Sequence, residues 1–418
     1  MKKIFIYLLI LFPLVFLLWY FIYPEHLGAI EAYSFFAWTP DYISGKLSTP
    51  GGIIELTGDY LSQFYRWREI GACIQTVLCM LVLLNFNLLL VRLRLEQFLW
   101  VALIPASFFL LWQLNWNLQI TPAIRIVFIL YIVLLILWFV LPKKDSSLLI
   151  RLSQVKPVRK WLQLFFSVGI VLLTVTLFIS DKKAGKEEKL YAVENAAFVS
   201  DWNGVLSLIS PADTRQDSLL MRYCLLALSE KDMLTEHISD LDLSSPDCFY
   251  FYRTSEPATQ YFNSLFYAGL GLYNESIHQL FEATTDLKSG VCFRSLRSLT
   301  DWFLKIGNAP LARKYLTILE QSSCHQHWID KRKVLLSALE DNPVQTPDRS
   351  LTDIFIGAYT FIPEMGRLLN EDPMNKKKTD YLLCALLLTG DLERFRDILK
   401  HSIYSDSQYP LPAIYRLQ

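Results

Sequence analysis

The sequence predicts an all-α protein in two parts, an N-terminal bundle of about five transmembrane helices and a C-terminal α-solenoid of helical hairpins. Three observations predict this class. Long apolar segments fill the first 180 residues and raise the mean hydropathy of the 418-residue chain to +0.29. Beyond them, apolar residues recur at helical spacing. Turn-plus-helix segments also repeat there with a period in the mid-thirties, which is typical of stacked helical hairpins.

Five apolar segments are long enough to cross a bilayer as α-helices, for which about 20 residues suffice. The first follows Met1-Lys2-Lys3. It is longer than the apolar region of a signal peptide and no small-residue cleavage site follows it, so we interpret it as a retained span. The predicted spans are residues 4–23, 70–91, 98–114, 122–141 and 161–180.

Residues 24–69 form a polar loop rich in Tyr, Phe and Trp, which Pro40 and Pro50-Gly51-Gly52 divide into short pieces. Aromatic rings favour the headgroup region, so we expect interfacial helices here. Carboxylates in an outer loop could also bind metal or act as a base on a lipid-linked substrate. We expect instead a solvated loop. Its acidic residues include Glu25, Glu31, Asp41, Glu55 and Asp59.

Lysine and arginine predict the orientation of the spans. With the N-terminus inside, ten lie in cytoplasmic segments, six of them within residues 142–160, and four lie in outer loops. The positive-inside rule then places the C-terminal domain outside the cytoplasm. Four lysines just after the last span, within residues 181–189, oppose this orientation.

Apart from Arg125, close enough to the end of the fourth span to snorkel, the spans contain no charged residue. Ion and proton pathways usually need ionisable groups at depth, so the sequence does not favour a transporter. We expect the uncharged polar side chains of the spans to form hydrogen bonds between helices. They include Gln75, Asn85, Asn87 and Gln113.

A charged linker, residues 181–189, is followed by the predicted helical-repeat domain, residues 190–418. Five turn-plus-helix units begin at Ser200, Glu230, Gly271, Gly307 and Gly390. Equivalent positions in their second helices are separated by 32, 40, 36 and 83 residues, so we expect a degenerate unit within residues 331–369. Paired helices at this period resemble tetratricopeptide repeats. The resemblance is carried best by Gly271-x-Tyr273-x-x-Ser276 with Phe281 and Ala283, and by Gly307 with Ala312, Tyr315 and Leu319.

The chain as a whole resembles an uncharacterised family of bacterial multi-pass inner-membrane proteins. The resemblance rests on the aromatic loop with Pro50-Gly51-Gly52 and the run from Tyr60 to Tyr65, on the spans, and on the tetratricopeptide-like region. It implies no catalytic residues. Members of that family continue past a Leu-Pro-x-x-Tyr stretch like the one ending at Tyr415, which implies a truncated C-terminus.

No catalytic, cofactor-binding or metal-binding residue is predicted, and no cofactor. Cys324-His325-Gln326-His327 is the only metal-like cluster, but no fourth ligand lies nearby in sequence, so we expect a polar loop between repeats.

The remaining charged and cysteine residues predict no binding site. We interpret the run Lys376-Lys377-Lys378 as a solvated turn. The seven cysteines lack CxxC spacing and are expected to be buried thiols. Lys+Arg and Asp+Glu both number 40, so no basic field favours nucleic acid.

These observations favour a non-enzymatic scaffold in a bacterial inner membrane. Its N-terminus would be cytoplasmic, and its C-terminal domain would bind a protein or peptide in the periplasm. Two alternatives stay open. One is an envelope enzyme that acts on a lipid-linked substrate through the first outer loop. The other is a structural subunit of a membrane complex.

Overall fold

The computed structural model describes residues 2–93, 95–114, 119–140, 159–243, 245–249, 256–285, 287, 290–322, 324–341, 360–405 and 409–416. All regular secondary structure in these ranges is helical, which confirms the all-α class. The chain forms two compact units. Unit 1 comprises residues 1–188, 292–294 and 318–326, and unit 2 comprises residues 189–291, 295–317 and 327–418.

Five helices of unit 1 are long and apolar enough to cross a membrane, and they agree with the predicted spans to within about two residues at most ends. The third starts as a 3-10 helix and becomes α-helical two residues before Pro105, whose missing N–H is tolerated in a first turn. The predicted basic loop, residues 142–160, falls almost wholly outside the described residues. The helices of unit 1 are α1 (Lys2–Ile22), α2 (Pro24–Ala32), α3 (Pro40–Leu47), α4 (Gly52–Ser62), α5 (Arg68–Arg92), α6 (Leu103–Leu114), α7 (Thr121–Val140) and α8 (Lys160–Ile179), with 3-10 helices at Gln63–Arg66 and Glu96–Ala102.

The uncharged polar residues of the spans divide into two kinds. Gln113 of α6 donates its amide N–H to Gln75 of α5 at 2.7 Å, which confirms one interhelical hydrogen bond. For the two asparagines the prediction is wrong. Asn85 donates to the carbonyl of Leu81 and Asn87 to that of Leu83, each within α5. A short side chain reaches the carbonyl four residues earlier more easily than a neighbouring helix.

The aromatic loop is a folded element, and two of its glycines explain its shape. Gly51 has φ +83°, which L side chains rarely adopt, and it precedes α4. Gly58 lies so close to Thr121, at the start of α7, that a Cβ there would fall 2.3 Å from the Thr121 hydroxyl. The loop therefore rests against the fourth span through a glycine contact.

The predicted linker is helical, because a helix starts at Lys182 in unit 1 and continues into unit 2, which begins at residue 189. The predicted degenerate repeat, residues 331–369, is described only up to residue 341 and from residue 360. The helices from Lys182 onward are α9 (Lys182–Phe198), α10 (Trp202–Leu208), α11 (Pro211–Gln216), α12 (Ser218–Glu230), α13 (Leu234–His237), α14 (Pro257–Gly269), α15 (Tyr273–Thr285), α16 (Phe293–Lys305), α17 (Ala309–Glu320), α18 (Gln326–Asp341), α19 (Phe361–Glu371), α20 (Lys376–Thr389), α21 (Leu392–His401) and α22 (Ala413–Arg416), with 3-10 helices at Ile238–Asp240, Pro246–Cys248 and Ile403–Ser405.

The five predicted turn-plus-helix units share one turn geometry. Each turn contains a residue with positive φ, and in each the two Schellman hydrogen bonds close the preceding helix. At Gly271, for example, the Gly271 N–H donates to the carbonyl of Ala268, and the Leu272 N–H donates to that of Tyr267. The five residues with positive φ are Ser200, Asp232, Gly271, Gly307 and Gly390.

The core of unit 2 joins hairpins that are distant in sequence. The ring of Tyr381 in α20 lies 5.3 Å from that of Phe266 in α14, and its hydroxyl donates to the carbonyl of Leu225 in α12 at 3.4 Å. In a linear solenoid each repeat contacts only its neighbours. Here the last hairpin packs against the second. The first helix of the last hairpin, α20, is therefore covered by other helices of unit 2.

The lysine run at the start of α20, Lys376-Lys377-Lys378, is not the solvated turn that the sequence predicted. Lys376 pairs with Asp232 at 2.8 Å and Lys377 with Glu230 at 2.6 Å. Lys378 is buried. These contacts attach α20 to the turn that follows α12, so the lysine run has a packing role.

Candidate functional site

The best-defined polar site of unit 1 is formed by side chains of the aromatic loop together with Ser322, Cys324 and His325, and we call it the Glu31 cluster. Its members are Glu31, Gln63, Arg66, Ser322, Cys324 and His325. Glu31 lies in the last turn of α2. In a 3-10 helix, side chains at i and i+3 lie on the same side. Gln63 and Arg66 therefore both face this cluster from the 3-10 helix that follows α4.

His325 is buried and hydrogen-bonded at both ring nitrogens. Its Nδ1 lies 3.1 Å from a guanidinium nitrogen of Arg66, and its Nε2 bonds to the carboxylate of Glu31. A guanidinium can only donate, so Nδ1 accepts. The proton of the neutral imidazole then lies on Nε2, which donates to Glu31. This tautomer places a neutral ring between a cation and an anion.

The arrangement leaves His325 no free lone pair. A general base needs an accepting nitrogen within reach of the proton that it removes. Here Nδ1 is occupied by Arg66 and Nε2 carries the proton donated to Glu31. The cluster is therefore arranged to hold its segments together, and its chemistry is that of a buried polar contact.

The rest of the cluster binds Ser322 and Cys324. Gln63, fully buried, accepts hydrogen bonds from the Ser322 hydroxyl at 3.3 Å and from the Cys324 thiol at 3.7 Å. Arg66 also donates to the carbonyl of Cys324. Each donor and acceptor in this part of the cluster has a partner, as the interior of a protein requires.

Backbone and aromatic contacts of unit 1 extend the cluster along residues 34–38. The Phe293 N–H donates to the Ser34 carbonyl at 2.9 Å, and the Trp38 N–H donates to the Gln321 carbonyl at 2.8 Å. The Phe293 ring lies 4.7 Å from the imidazole of His325 and 5.4 Å from the ring of Phe35. Both short segments of unit 1 that come late in the chain are therefore bonded to the aromatic loop.

The expectation of a solvated acidic loop holds for some of its carboxylates and is wrong for Glu31, which is 7% exposed. Asp41 is exposed, and Glu55 is half-exposed and lies 3.9 Å from Arg125. Asp59 accepts from the Tyr42 hydroxyl at 2.7 Å and pairs with Lys46 at 2.9 Å. The hydroxyl of Tyr42 is half-buried, and burial together with Asp59 raises its pKa.

The Cys324-His325-Gln326-His327 run is likewise not a solvated loop, because Cys324 and His325 are buried against Gln63 and Glu31. Across the ranges that the structure describes, no group of three or more His, Cys, Asp or Glu side chains could hold a metal ion. All seven cysteines are free thiols.

A second polar contact of unit 1 fixes the start of α2. The carboxylate of Glu188 accepts the backbone N–H groups of Glu25 and His26, both at 2.7 Å. These are among the N–H groups that a helix leaves unsatisfied in its first turn. Burial raises the pKa of Glu188 to about 7 despite the two hydrogen bonds. Burial also lowers the pKa of His26 to about 4.

In unit 2 the corresponding polar cluster surrounds Asp380. Its carboxylate accepts from the hydroxyls of Tyr404 at 2.5 Å and Tyr415 at 3.1 Å, and from Lys376 at 3.1 Å. Burial raises the pKa of Asp380. These bonds attach α22 to α20. They give Tyr415, in the stretch singled out by its Leu-Pro-x-x-Tyr pattern, a packing role.

Sequence reasoning missed the pairing of Glu31 with His325 because the two residues are 294 positions apart. One signal was available: the run from Tyr60 to Tyr65 and the run from Cys324 to His327 both stand out in the sequence. Nothing in either run indicates that it contacts the other.

Comparison with known families agrees with the predicted resemblance. The model of a family of unknown function, DUF6057, matches residues 1–179 and 124–416. No curated protein and no solved structure gives a significant match. Because the two matched ranges together cover almost the whole chain, this protein belongs to the DUF6057 family of unknown function.

Proposed function

We propose that this protein is a membrane-anchored scaffold whose C-terminal helical hairpins, divergent relatives of tetratricopeptide repeats, bind a protein or peptide partner. One observation carries the proposal: five hairpin turns with the same Schellman geometry follow five apolar helices in one chain. Repeated hairpins build extended surfaces that natural proteins use for binding other proteins.

The second helices of the hairpins supply the exposed surface for such a partner. The first helices α12, α14 and α20 are buried over most of their length. The second helices α15, α17 and α21 expose one apolar ring and several charges. These exposed residues are Phe281, Arg313, Lys314, Glu393, Arg394 and Asp397.

Phe281 is the most distinctive residue of this surface. Its ring is 41% exposed and lies 6.5 Å from that of Tyr315 in α17. The ammonium group of Lys314 lies 5.6 Å from the Tyr315 ring. Aromatic residues are enriched in the energetically important parts of protein interfaces. We therefore place the partner on α15 and α17.

The test is site-specific photo-crosslinking of the full chain in its native membrane. A photoreactive phenylalanine analogue replaces Phe281, and in the control it replaces Val199, which is 67% exposed against 41% for Phe281 and lies outside α15 and α17. The proposal expects a discrete crosslinked protein from position 281 that Lys314→Glu removes. Equal crosslinking from both positions, or crosslinking unchanged by Lys314→Glu, would contradict it.

The alternative of an enzyme acting through the first outer loop has less support, because Glu31 is buried and paired with His325. Replacing the more accessible Asp41 and Glu55 by Asn and Gln tests it, since an enzyme of this kind would lose its cellular phenotype. A purely structural subunit would keep its assembly and its phenotype when Phe281 and Lys314 are replaced, whereas a scaffold would not.

The proposed location is a bacterial inner membrane, with the N-terminus in the cytoplasm and unit 2 in the periplasm. It rests on the lysine and arginine distribution and on five candidate spans. Paired topology reporters fused after Gln418 test it. A signal from the reporter active outside the cytoplasm is expected, and a signal only from the cytoplasmic reporter would overturn the orientation.

A further inference from the structure

Four candidate spans of unit 1 surround an apolar crevice. Side chains from α1, α5, α6 and α8 line it, and its volume is small, about 40 Å³. Leu14 and Val175 are half-buried, and Met80, Leu83 and Leu110 lie deeper. The crevice therefore enters the helix bundle from its surface and ends among buried side chains.

The crevice lies near the middle of three of the four spans that line it. Val15 is near the centre of Lys3–Ile22, Met80 near that of Arg68–Arg92, and Ala106 near that of Glu96–Leu114. At this depth a bilayer offers only hydrocarbon, because headgroups and water lie at its two faces.

The few polar groups of the crevice are already hydrogen-bonded. The hydroxyl of Thr174 lies 2.7 Å from that of Ser107 and also donates to the Ile170 carbonyl at 2.7 Å. The thiol of Cys79 contacts the carbonyl of Ala106 at 3.6 Å. An occupant therefore needs no hydrogen-bonding groups, and an apolar chain meets the requirements of the walls.

We propose that this crevice binds a segment of one acyl chain of a bilayer phospholipid, a few methylene groups long, which enters between the spans and packs against Leu14, Leu83, Leu110 and Val175. The lipid headgroup stays at the membrane surface. The site is independent of the proposed scaffold function, since it rests on the spans of unit 1 alone. Its occupant gains dispersion contacts with the crevice walls that neighbouring lipid chains do not offer.

The test uses the full chain in nanodiscs that contain phosphatidylcholine with a diazirine near the middle of one acyl chain. After irradiation, labelled residues are mapped by mass spectrometry. The expected result is labelling of Leu110 and Met80, whose surfaces bulk lipid does not reach, in addition to the outward residues of the spans. Two variants fill the crevice, Ala106→Phe on α6 and Val175→Phe on α8.

Each variant has a control on the same helix. Ile104→Phe and Leu172→Phe enlarge residues that are 51% and 62% exposed. Both crevice variants should lower labelling of Leu110 and Met80 several-fold, and both controls should leave it unchanged. Using two variants on different helices separates filling of the crevice from a folding defect of one of them. Labelling confined to outward residues, or equal in crevice and control variants, would overturn the proposal.

Discussion

The carboxylate of Glu31 accepts a hydrogen bond from Nε2 of His325, 294 residues away in the sequence, and both side chains are buried. Arg66 occupies the other ring nitrogen. This contact ties the aromatic loop to residues 318–326, so unit 1 is built from segments that are distant in the chain.

Breaking this contact should destabilise unit 1. Glu31→Ala leaves the Nε2–H of His325 buried without an acceptor, which should lower the free energy of unfolding by about 1–3 kcal/mol. Thermal unfolding in detergent measures it. A double-mutant cycle with His325→Phe should show coupling, because each single change removes the same bond. Glu55→Ala is the control, since Glu55 is half-exposed and should shift stability by about 0.5 kcal/mol or less. Additive effects of the two changes would contradict the contact.

Gly58 should not tolerate a side chain. Because a Cβ there meets the Thr121 hydroxyl at 2.3 Å, Gly58→Ala must separate α4 from α7, at a cost of about 1–3 kcal/mol. Gly45→Ala, in the same loop but with no atom within 4 Å of its Cβ position, is the matched control. The melting temperatures of the two variants in detergent distinguish them. An equal melting temperature for both would show that the close approach has no energetic consequence.

Glu188 should make folding stability depend on pH. Its pKa is about 7 in the folded protein against an ordinary 4.5, so the folded state holds the proton more tightly. The stability from this group is fully present below pH 4.5 and is lost as pH rises to 7, by at most roughly 3 kcal/mol. Glu188→Gln should remove this contribution, so that the melting temperature of the variant rises with pH between 4.5 and 6.5, whereas Glu393→Gln, at an exposed site, should leave the pH profile unchanged. The melting temperature of each variant across that range checks the effect.

His26 should have the opposite pH dependence. Its pKa is about 4 against 6.5, so the unfolded state binds the proton more tightly and stability falls as pH drops from 6.5 to 4. Between pH 4.5 and 6.5 the two groups therefore offset each other in the wild-type protein. His26→Phe should expose the Glu188 effect, with a melting temperature that decreases as pH rises. A wild-type-like flat profile in this variant would refute the burial of a neutral His26.

Substitutions at the residues with positive φ in the hairpin turns should change stability in a way that depends on the residue replaced. Gly271 has φ +81° and open space around its Cβ position, so Gly271→Ala tests backbone conformation alone. This substitution should lower the free energy of unfolding by about 1 kcal/mol. Ser200 has φ 58° with a side chain already present, and Ser200→Gly should be neutral or slightly stabilising. Denaturant unfolding of the two variants compares them, and a loss of stability in Ser200→Gly would contradict the shared geometry.

The hairpin turns could be predicted from the sequence, whereas the buried charges could not. The five turns could be located from sequence because glycine, serine and aspartate mark the positions where a helix ends. The buried state of Glu31 and Lys378 could not, because a charge in a loop or at a helix start is usually solvated. Glu31 is buried with His325, 294 residues away in the sequence, and Lys378 is buried where α20 packs within unit 2 and pairs with Asp372.

The sequence by itself determined the all-α class, the five apolar spans and the positions of the hairpin turns. These properties follow from local composition and periodicity, which short stretches of chain carry independently. The tertiary structure alone decided that residues 318–326 belong with the aromatic loop in unit 1 and that the last hairpin returns to the second. Such contacts depend on the complementarity of surfaces far apart in sequence, which no local pattern contains.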